Sequence, residues 1–385
     1  FSHLATVGTL TGPSGPTVTA GASDIFFDFG TGPQSQLTTI GCTGTLASGT
    51  WTVTCPAGGT YHFKGISLHG GITLKFAVGG SSTNTYDFSG AINIGGSGAS
   101  FGPGTYNVMG GIITGGGTTT TFGAGNYSIG KGTVSCASSF YSICNTGSSL
   151  TFGAGVYTIA GGINNANGGT FSIGAGSAAN SFNIGAGSAG YAINTTGVTT
   201  LGDMTSGTFQ AVGNITTAGG TTLTLSAAPA HDLNGAVNLA GSATLGSGTY
   251  SVAGSFALGA GGGGGTVTGS GVSIITSGIF SVAAGYSNVT LTGPGSGVLQ
   301  NIVVASNGGG GASFSEGASG NSLSGVFYFP NAPITLSGAG NVGSGAGQCL
   351  ELIGSTITLS GGSALASTCA GLGGTAAAGK VVMVQ

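Results

Sequence analysis

Apolar and polar residues alternate along most of this chain, in short runs closed by glycine, serine or asparagine. A period of two puts one set of side chains on a buried face and the other in water, as in a β-strand. Helical periodicity is nearly absent, and the Gly, Thr and Ser content disfavours helix further. The most regular run reads F-G-x-G-x-Y, then any residue, then a small apolar one. It occurs as Phe101-Gly102-Pro103-Gly104-Thr105-Tyr106-Asn107-Val108, as Phe122 to Ile129 and as Phe152 to Ile159, and with leucine leading as Leu245 to Val252. Shorter variants are Phe171-Ser172-Ile173-Gly174-Ala175-Gly176 and Phe182-Asn183-Ile184-Gly185-Ala186-Gly187.

Recurrence of one local pattern is the signature of a repeat architecture. The reading is an all-β fold, a β-solenoid resembling a parallel β-helix, with irregular coils and inserted disulfide loops. Strands present Ile, Val, Leu, Phe or Tyr inward at alternate positions, and Gly and Asn turn the corners. At about 20 residues per coil the chain makes roughly 15 to 19 coils, spaced by ~4.8 Å. Tandem β-sandwiches are the alternative. A longer repeat is superimposed: residues 87–94, DFSGAINI, match residues 232–239, DLNGAVNL, as expected of an internal duplication. The expected divisions are a linker, cap or donated segment over 1–22, a β region over 23–86, the repeat solenoid over 87–324 and a solenoid end over 325–385.

Composition narrows the function classes. Only 3% of residues are charged and arginine is absent; the lysines are Lys64, Lys75, Lys131 and Lys380. Nucleic-acid binding needs clustered cations to displace counterions, so it is excluded, and so is a polybasic route to anionic membranes. Disorder is disfavoured because 39% of residues are hydrophobic. Collagen is disfavoured because the 86 glycines follow no three-residue period. No window is apolar for long enough to span a membrane as a helix. The sequence opens on Phe1, without an initiator Met or a basic-apolar leader, as in a processed product or a fragment.

Six cysteines fall in three near pairs, Cys42/Cys55, Cys136/Cys144 and Cys349/Cys369. Even numbers at short spacing point to disulfides formed in an oxidising compartment, hence to an extracellular or cell-surface protein. Sequential pairing is expected because each pair brackets one turn. The spacing is not that of a zinc site.

Candidate chemistry is sparse. Asp24 and Asp28 share one strand face, but calcium takes about six to eight oxygens and no calcium-loop motif accompanies them. His62, Lys64, His69 and Lys75 form the densest ionisable cluster, with no carboxylate nearby in sequence to orient a base. Asp87, Asp203 and Asp232 are isolated along the chain. Asp87 and Asp232 occupy equivalent repeat positions, which suggests turn capping. His231 beside Asp232 is the remaining candidate pair. The expectation is no enzyme, no cofactor and no metal; a polysaccharide-degrading β-helix enzyme is disfavoured, since its paired carboxylates are not evident.

At the C-terminal end the sequence GVFYFPNAPITLSGAGNVGSGAGQCLELIGSTITLSGGSALASTC resembles the Gly-rich secreted region of TadG-like proteins of bacterial tight-adherence (Flp) pilus systems. The G-x-x-Y-F-P strand, the T-L-S-G turns and the spaced cysteines carry the likeness, and Val381-Val382-Met383-Val384 matches the short apolar strand that closes such ends. The resemblance covers 325–385 best and 60–385 loosely. The family's usual N-terminal membrane helix and its metal-binding D-x-S-x-S motif are not found, so no metal site is carried over. It implies a bacterial surface protein with an adhesive or pilus-associated role. Solenoid ends expose strand edges that pair with a further copy, and a neutral surface does not repel copies of itself. The expected function is therefore an extracellular structural or adhesive protein that assembles with itself into a filament or matrix. Phe1, Leu4, Val381, Val382, Met383 and Val384 are the candidate contacts. The alternative is a monomeric adhesin that binds glycans or cell surfaces.

Overall fold

The computed structural model describes residues 10–21, 25–29, 35–136, 138–176, 179–259, 264–284, 286, 288–306, 308–315, 321–337, 341–343, 349–361 and 364–366. These residues form a β-solenoid of about 12 turns, 54% strand. A 3-10 turn at Ser35–Ile40 is the helical element among the described residues. The turn number falls short of the 15 to 19 expected at about 20 residues per coil. Coils vary from the 19 residues separating His231 and Tyr250 to the 32 separating Leu291 and Leu323, because the connections between strands differ in length.

Two compact units divide the chain, Leu10–Thr216 and the described residues from Thr217 onward. The expected divisions at 86/87 and 324/325 fall inside the strands Thr85–Phe88 and Asn321–Phe329.

In the first unit each full turn contributes three strands, and strands of successive turns pair in parallel, giving three faces. A tyrosine face is built from Thr60–Leu68, Thr85–Phe88, Gly104–Val108, Gly125–Ile129, Gly155–Ile159, Ser181–Ile184 and Phe209–Val212. A middle face runs from the second half of Thr60–Leu68 through Ile92–Gly95, Ile112–Gly115, Ile143–Thr146, Ile163–Ala166 and Tyr191–Thr195. A threonine face stacks Thr50–Thr54, Thr73–Phe76, Ala99–Phe101, Thr119–Phe122, Ser149–Gly153, Thr170–Ala175 and Val198–Leu201.

Identical inward residues stack on one another. Tyr106, Tyr127 and Tyr157 lie 5.3 and 5.1 Å apart with rings 5° and 3° from parallel. Phe101, Phe122 and Phe152 stack at 4.3 and 4.6 Å, and their rings meet the tyrosines edge-on. Each such aromatic contact contributes about 0.5–1.5 kcal/mol beyond the area it buries. On the middle face Ile66, Ile92, Ile112, Ile143, Ile163 and Ile193 form a fully buried column.

The recurrent sequence unit is the corner between the threonine and tyrosine faces. Tyr106 Oη donates to the Gly102 carbonyl at 2.6 Å, and Tyr127 and Tyr157 donate likewise to Gly123 and Gly153. The phenol thereby satisfies a corner carbonyl that has left the ladder. Its glycines are set by the coil beneath: a Cβ on Gly125 would lie 1.8 Å from the Gly104 carbonyl oxygen. The two F-x-I-G-A-G variants occupy different faces. Phe171 pairs with Leu150 on the threonine face, and Phe182 stacks on Tyr157 on the tyrosine face.

Around this frame lie three additions. The stretch between Cys42 and Cys55 is an antiparallel hairpin, Thr43–Ala47 with Thr50–Thr54, turning at Ser48 and Gly49, both at positive φ. The Cys136–Cys144 loop carries the short hairpin Ser135–Cys136 with Ser139–Phe140. Residues 10–21 cross several coils on the outside: Gly12 packs on Gly185 and Val212, Gly15 on Gly130 and Ala160, and the Val18 N–H donates to Met109 Sδ at 3.3 Å. Of the readings linker, cap or donated segment, these residues are a strap on their own unit; residues 1–9 lie outside the described set.

In the unit from Thr217 the same three-strand turn continues. Ala230–Asn234, Gly248–Val252 and Val272–Thr276 stack on one face, Val237–Leu239, Phe256–Leu258 and Phe280–Val282 on the next, and Thr222–Leu225, Ser242–Leu245, Val267–Ser270 and Val289–Thr292 on the third.

Replacing Gly125 with alanine forces a methyl group into the backbone below and is expected to destabilise by about 1–3 kcal/mol. Gly70→Ala, where the added Cβ meets nothing within 4 Å, is the neutral control. Thermal melts followed by circular dichroism compare the two; equal midpoints would refute the steric account of the corner.

Candidate functional site

The ionisable residues that sequence leaves scattered are partly gathered by coil stacking. His62, Asp87 and Asn107 are successive outward residues of one column on the tyrosine face. His62 Nδ1 stands 3.4 Å from Asp87 Oδ2, and Asn107 Nδ2 donates to Asp87 Oδ1 at 2.8 Å. A second pair forms where the Ile25–Asp28 strand lies on Thr60–Leu68: His69 Nε2 is 3.7 Å from Asp28 Oδ1 and 2.8 Å from Ser67 Oγ. The histidine cluster therefore has carboxylates that its sequence neighbourhood lacks, supplied 25 residues later by Asp87 and 41 residues earlier by Asp28.

The chemistry of these pairs is limited by their geometry. A serine–histidine–aspartate relay uses opposite ring nitrogens for the hydroxyl and the carboxylate. Ser67 and Asp28 both face Nε2 of His69, so they compete for one edge of the ring. The histidine side chains are 51% and 59% exposed, and such pairs contribute about 0–1 kcal/mol in water. Asp87 lies mid-strand rather than capping a turn, whereas exposed Asp203 does cap one, accepting the Thr205 N–H at 2.9 Å. Among the described residues no three His, Cys, Asp or Glu side chains gather as metal ligands. Asp24 lies outside the described residues.

His231 is not a surface partner of Asp232. It is fully buried, its ring 3.9 Å from that of Tyr250 and 7° from parallel, at the ladder position held by tyrosine elsewhere. Nε2 donates to the Ser226 carbonyl at 3.0 Å, as Tyr250 Oη donates to Gly246. Burial lowers its pKa to about 4, against a smaller opposing effect of that hydrogen bond. The longer repeat carried the signal, since Tyr86 and His231 precede the matched Asp87 and Asp232.

Buried polar groups line one corner of the first unit. Asn145 Nδ2 donates to Asn165 Oδ1 at 2.8 Å and to the Ser148 carbonyl at 2.8 Å; Asn165 Nδ2 continues to the carbonyls of Gly169 and Val198. These amides satisfy corner backbone that parallel pairing leaves out.

Disulfides join Cys42 to Cys55 and Cys136 to Cys144. Cys349 is also disulfide-bonded, and Cys369 lies outside the described residues. Inside the second loop, Tyr141 packs with both cysteines against Ile113 and Tyr191.

Two surfaces remain. Outward positions of the threonine face are mostly hydroxyls: one column reads Thr52, Lys75, Ser100, Thr121, Thr151, Ser172 and Thr200, while the neighbouring one ends on exposed Val198. The other surface is the last described coil. Ile357 and Leu359 continue the register of Ile334 and Leu336, yet are 44% and 53% exposed where their predecessors are fully buried. Among the described residues no strand pairs with the far side of Ile357–Leu359 or Ala364–Ala366. The candidate contacts Phe1, Leu4, Val381, Val382, Met383 and Val384 fall outside the described residues.

The chain matches no protein-family model, no curated protein and no solved structure.

Because His231 is neutral when folded and protonates more readily when unfolded, its contribution is complete above about pH 6.5 and is lost as pH falls towards 4. The loss is on the order of 3 kcal/mol. Melting midpoints between pH 7 and pH 4 should decline less steeply in His231→Tyr than in the parent chain. Parallel declines would place the acid sensitivity elsewhere.

Proposed function

We propose that this chain is an extracellular structural and adhesive protein of the bacterial surface, a rigid disulfide-stapled solenoid that assembles end to end with copies of itself. The observation that carries the reading is the last described coil, where Ile357 and Leu359 stand exposed in a register that elsewhere buries its residues. A parallel coil such as Ile357–Leu359, on whose far side no strand pairs among the described residues, offers backbone donors and acceptors to an incoming strand. Covering two such side chains contributes about 1.5–3 kcal/mol each. The near absence of charge supports close approach of copies, and the disulfides fit an oxidising compartment. No helix among the described residues is long and apolar enough to cross a membrane. The likeness to the secreted region of TadG-like proteins points to the same setting, with a pilus-associated role.

Negative-stain microscopy at rising protein concentration tests the assembly. Uniform fibres are expected from the parent chain, and short dispersed particles from Ile357→Lys combined with Leu359→Lys. Dispersed particles from the parent chain at high concentration would sink the proposal and favour a monomeric adhesin that binds glycans.

A further inference from the structure

The threonine face of the first unit is ordered in two dimensions. Along each strand the outward positions are two residues apart, as in Thr119 and Thr121, Ser149 and Thr151, and Thr170 and Ser172. Coil stacking repeats them in direct register, so the hydroxyls form a grid of about 4.8 Å across strands and about 6.6 Å along them. Charge is almost missing from the grid, with Lys75 its one ionised side chain among the described residues. Threonine adds a β-branched, rotamerically stiff side chain, so its methyl and hydroxyl are held in place before any ligand arrives.

A second, independent feature concerns flatness. Parallel sheets ordinarily twist by about 20–25° per strand, and flat sheets arise where side chains stack. Behind this grid Phe101, Phe122 and Phe152 are stacked within 5° and 8° of parallel, and Tyr106, Tyr127 and Tyr157 within 5° and 3°. Over these three coils successive turns are thus translated with little rotation, and the part of the grid that spans Ser100, Thr121 and Thr151 stays flat.

A nearly uncharged lattice of stiff methyls and hydroxyls, flat over its central coils, matches a ligand that is itself a lattice of water oxygens. The grid's two repeats lie close to those of a prism face of hexagonal ice. We propose that the threonine face of the unit Leu10–Thr216 is an ice-binding surface. A soluble glycan presents no such periodic plane, and a second copy of the chain would need a complementary rather than an identical grid. The inference does not require end-to-end assembly.

The experiment uses the full chain and ice itself. Thermal hysteresis is measured by nanolitre osmometry, with incorporation into a slowly growing ice hemisphere as the second readout. The parent chain is expected to halt ice growth between its freezing and melting points and to enter the ice. Thr121→Tyr with Thr151→Tyr places bulky residues of high strand propensity mid-grid. Hysteresis should fall at least about tenfold, since a multivalent surface loses its avidity when simultaneous engagement is blocked. Thr158→Tyr, outward on the tyrosine face, should change neither readout. Thr119→Lys gives the same reading at an exposed position if the double variant does not fold, as judged by its melt. A folded parent chain without hysteresis or ice incorporation above serum albumin overturns the proposal. So does an equal loss in Thr158→Tyr.

Discussion

The distance between stacked coils governs this molecule. Backbone hydrogen bonds between parallel strands hold successive turns about 4.8 Å apart, and every side chain repeats at that interval. Aromatic rings placed at one register position are then at stacking distance, which is why Tyr106, Tyr127 and Tyr157 form a column. The same interval leaves no room for a Cβ where corner backbones cross, which is why Gly104, Gly125 and Gly155 lie one above another. Stability comes from these columns: a buried isoleucine contributes about 1.5–3 kcal/mol, several times an exposed ion pair.

Sequence periodicity was enough for the architecture. Strand alternation, the glycine-framed tyrosine unit and the paired cysteines led to a disulfide-stapled solenoid, which the fold bears out. Coil number was less legible, because corner insertions such as the Cys136–Cys144 loop lengthen a turn without altering its strands. Face assignment was illegible for short variants, since Phe171 and Phe182 open local sequences that differ only at Ser172 and Asn183 yet have different neighbours.

The candidate surfaces divide in the same way. Proximity of His62 to Asp87 and of His69 to Asp28 depends on which strands lie on which, information absent from either segment alone. His231 shows the converse. Beside Asp232 in sequence it reads as half of a candidate pair, but its register position is that of a core tyrosine, and burial decided its chemistry. The hydroxyl grid was visible as scattered T-x-T runs, whose meaning appears only when coils align them.

Repeat proteins are close to one-dimensional, each coil bound only to its neighbours, so unfolding can begin at any weak turn and spread. The strap over residues 10–21 alters that connectivity. By touching Val212 and Gly185 near one end of its run and Met109 near the other, it links coils that share no strand pairing. Loss of one intermediate turn therefore strains a tie that spans the others. The unit behaves less as a row of independent links than as a laced column, in which mechanical load applied to one coil is distributed over several.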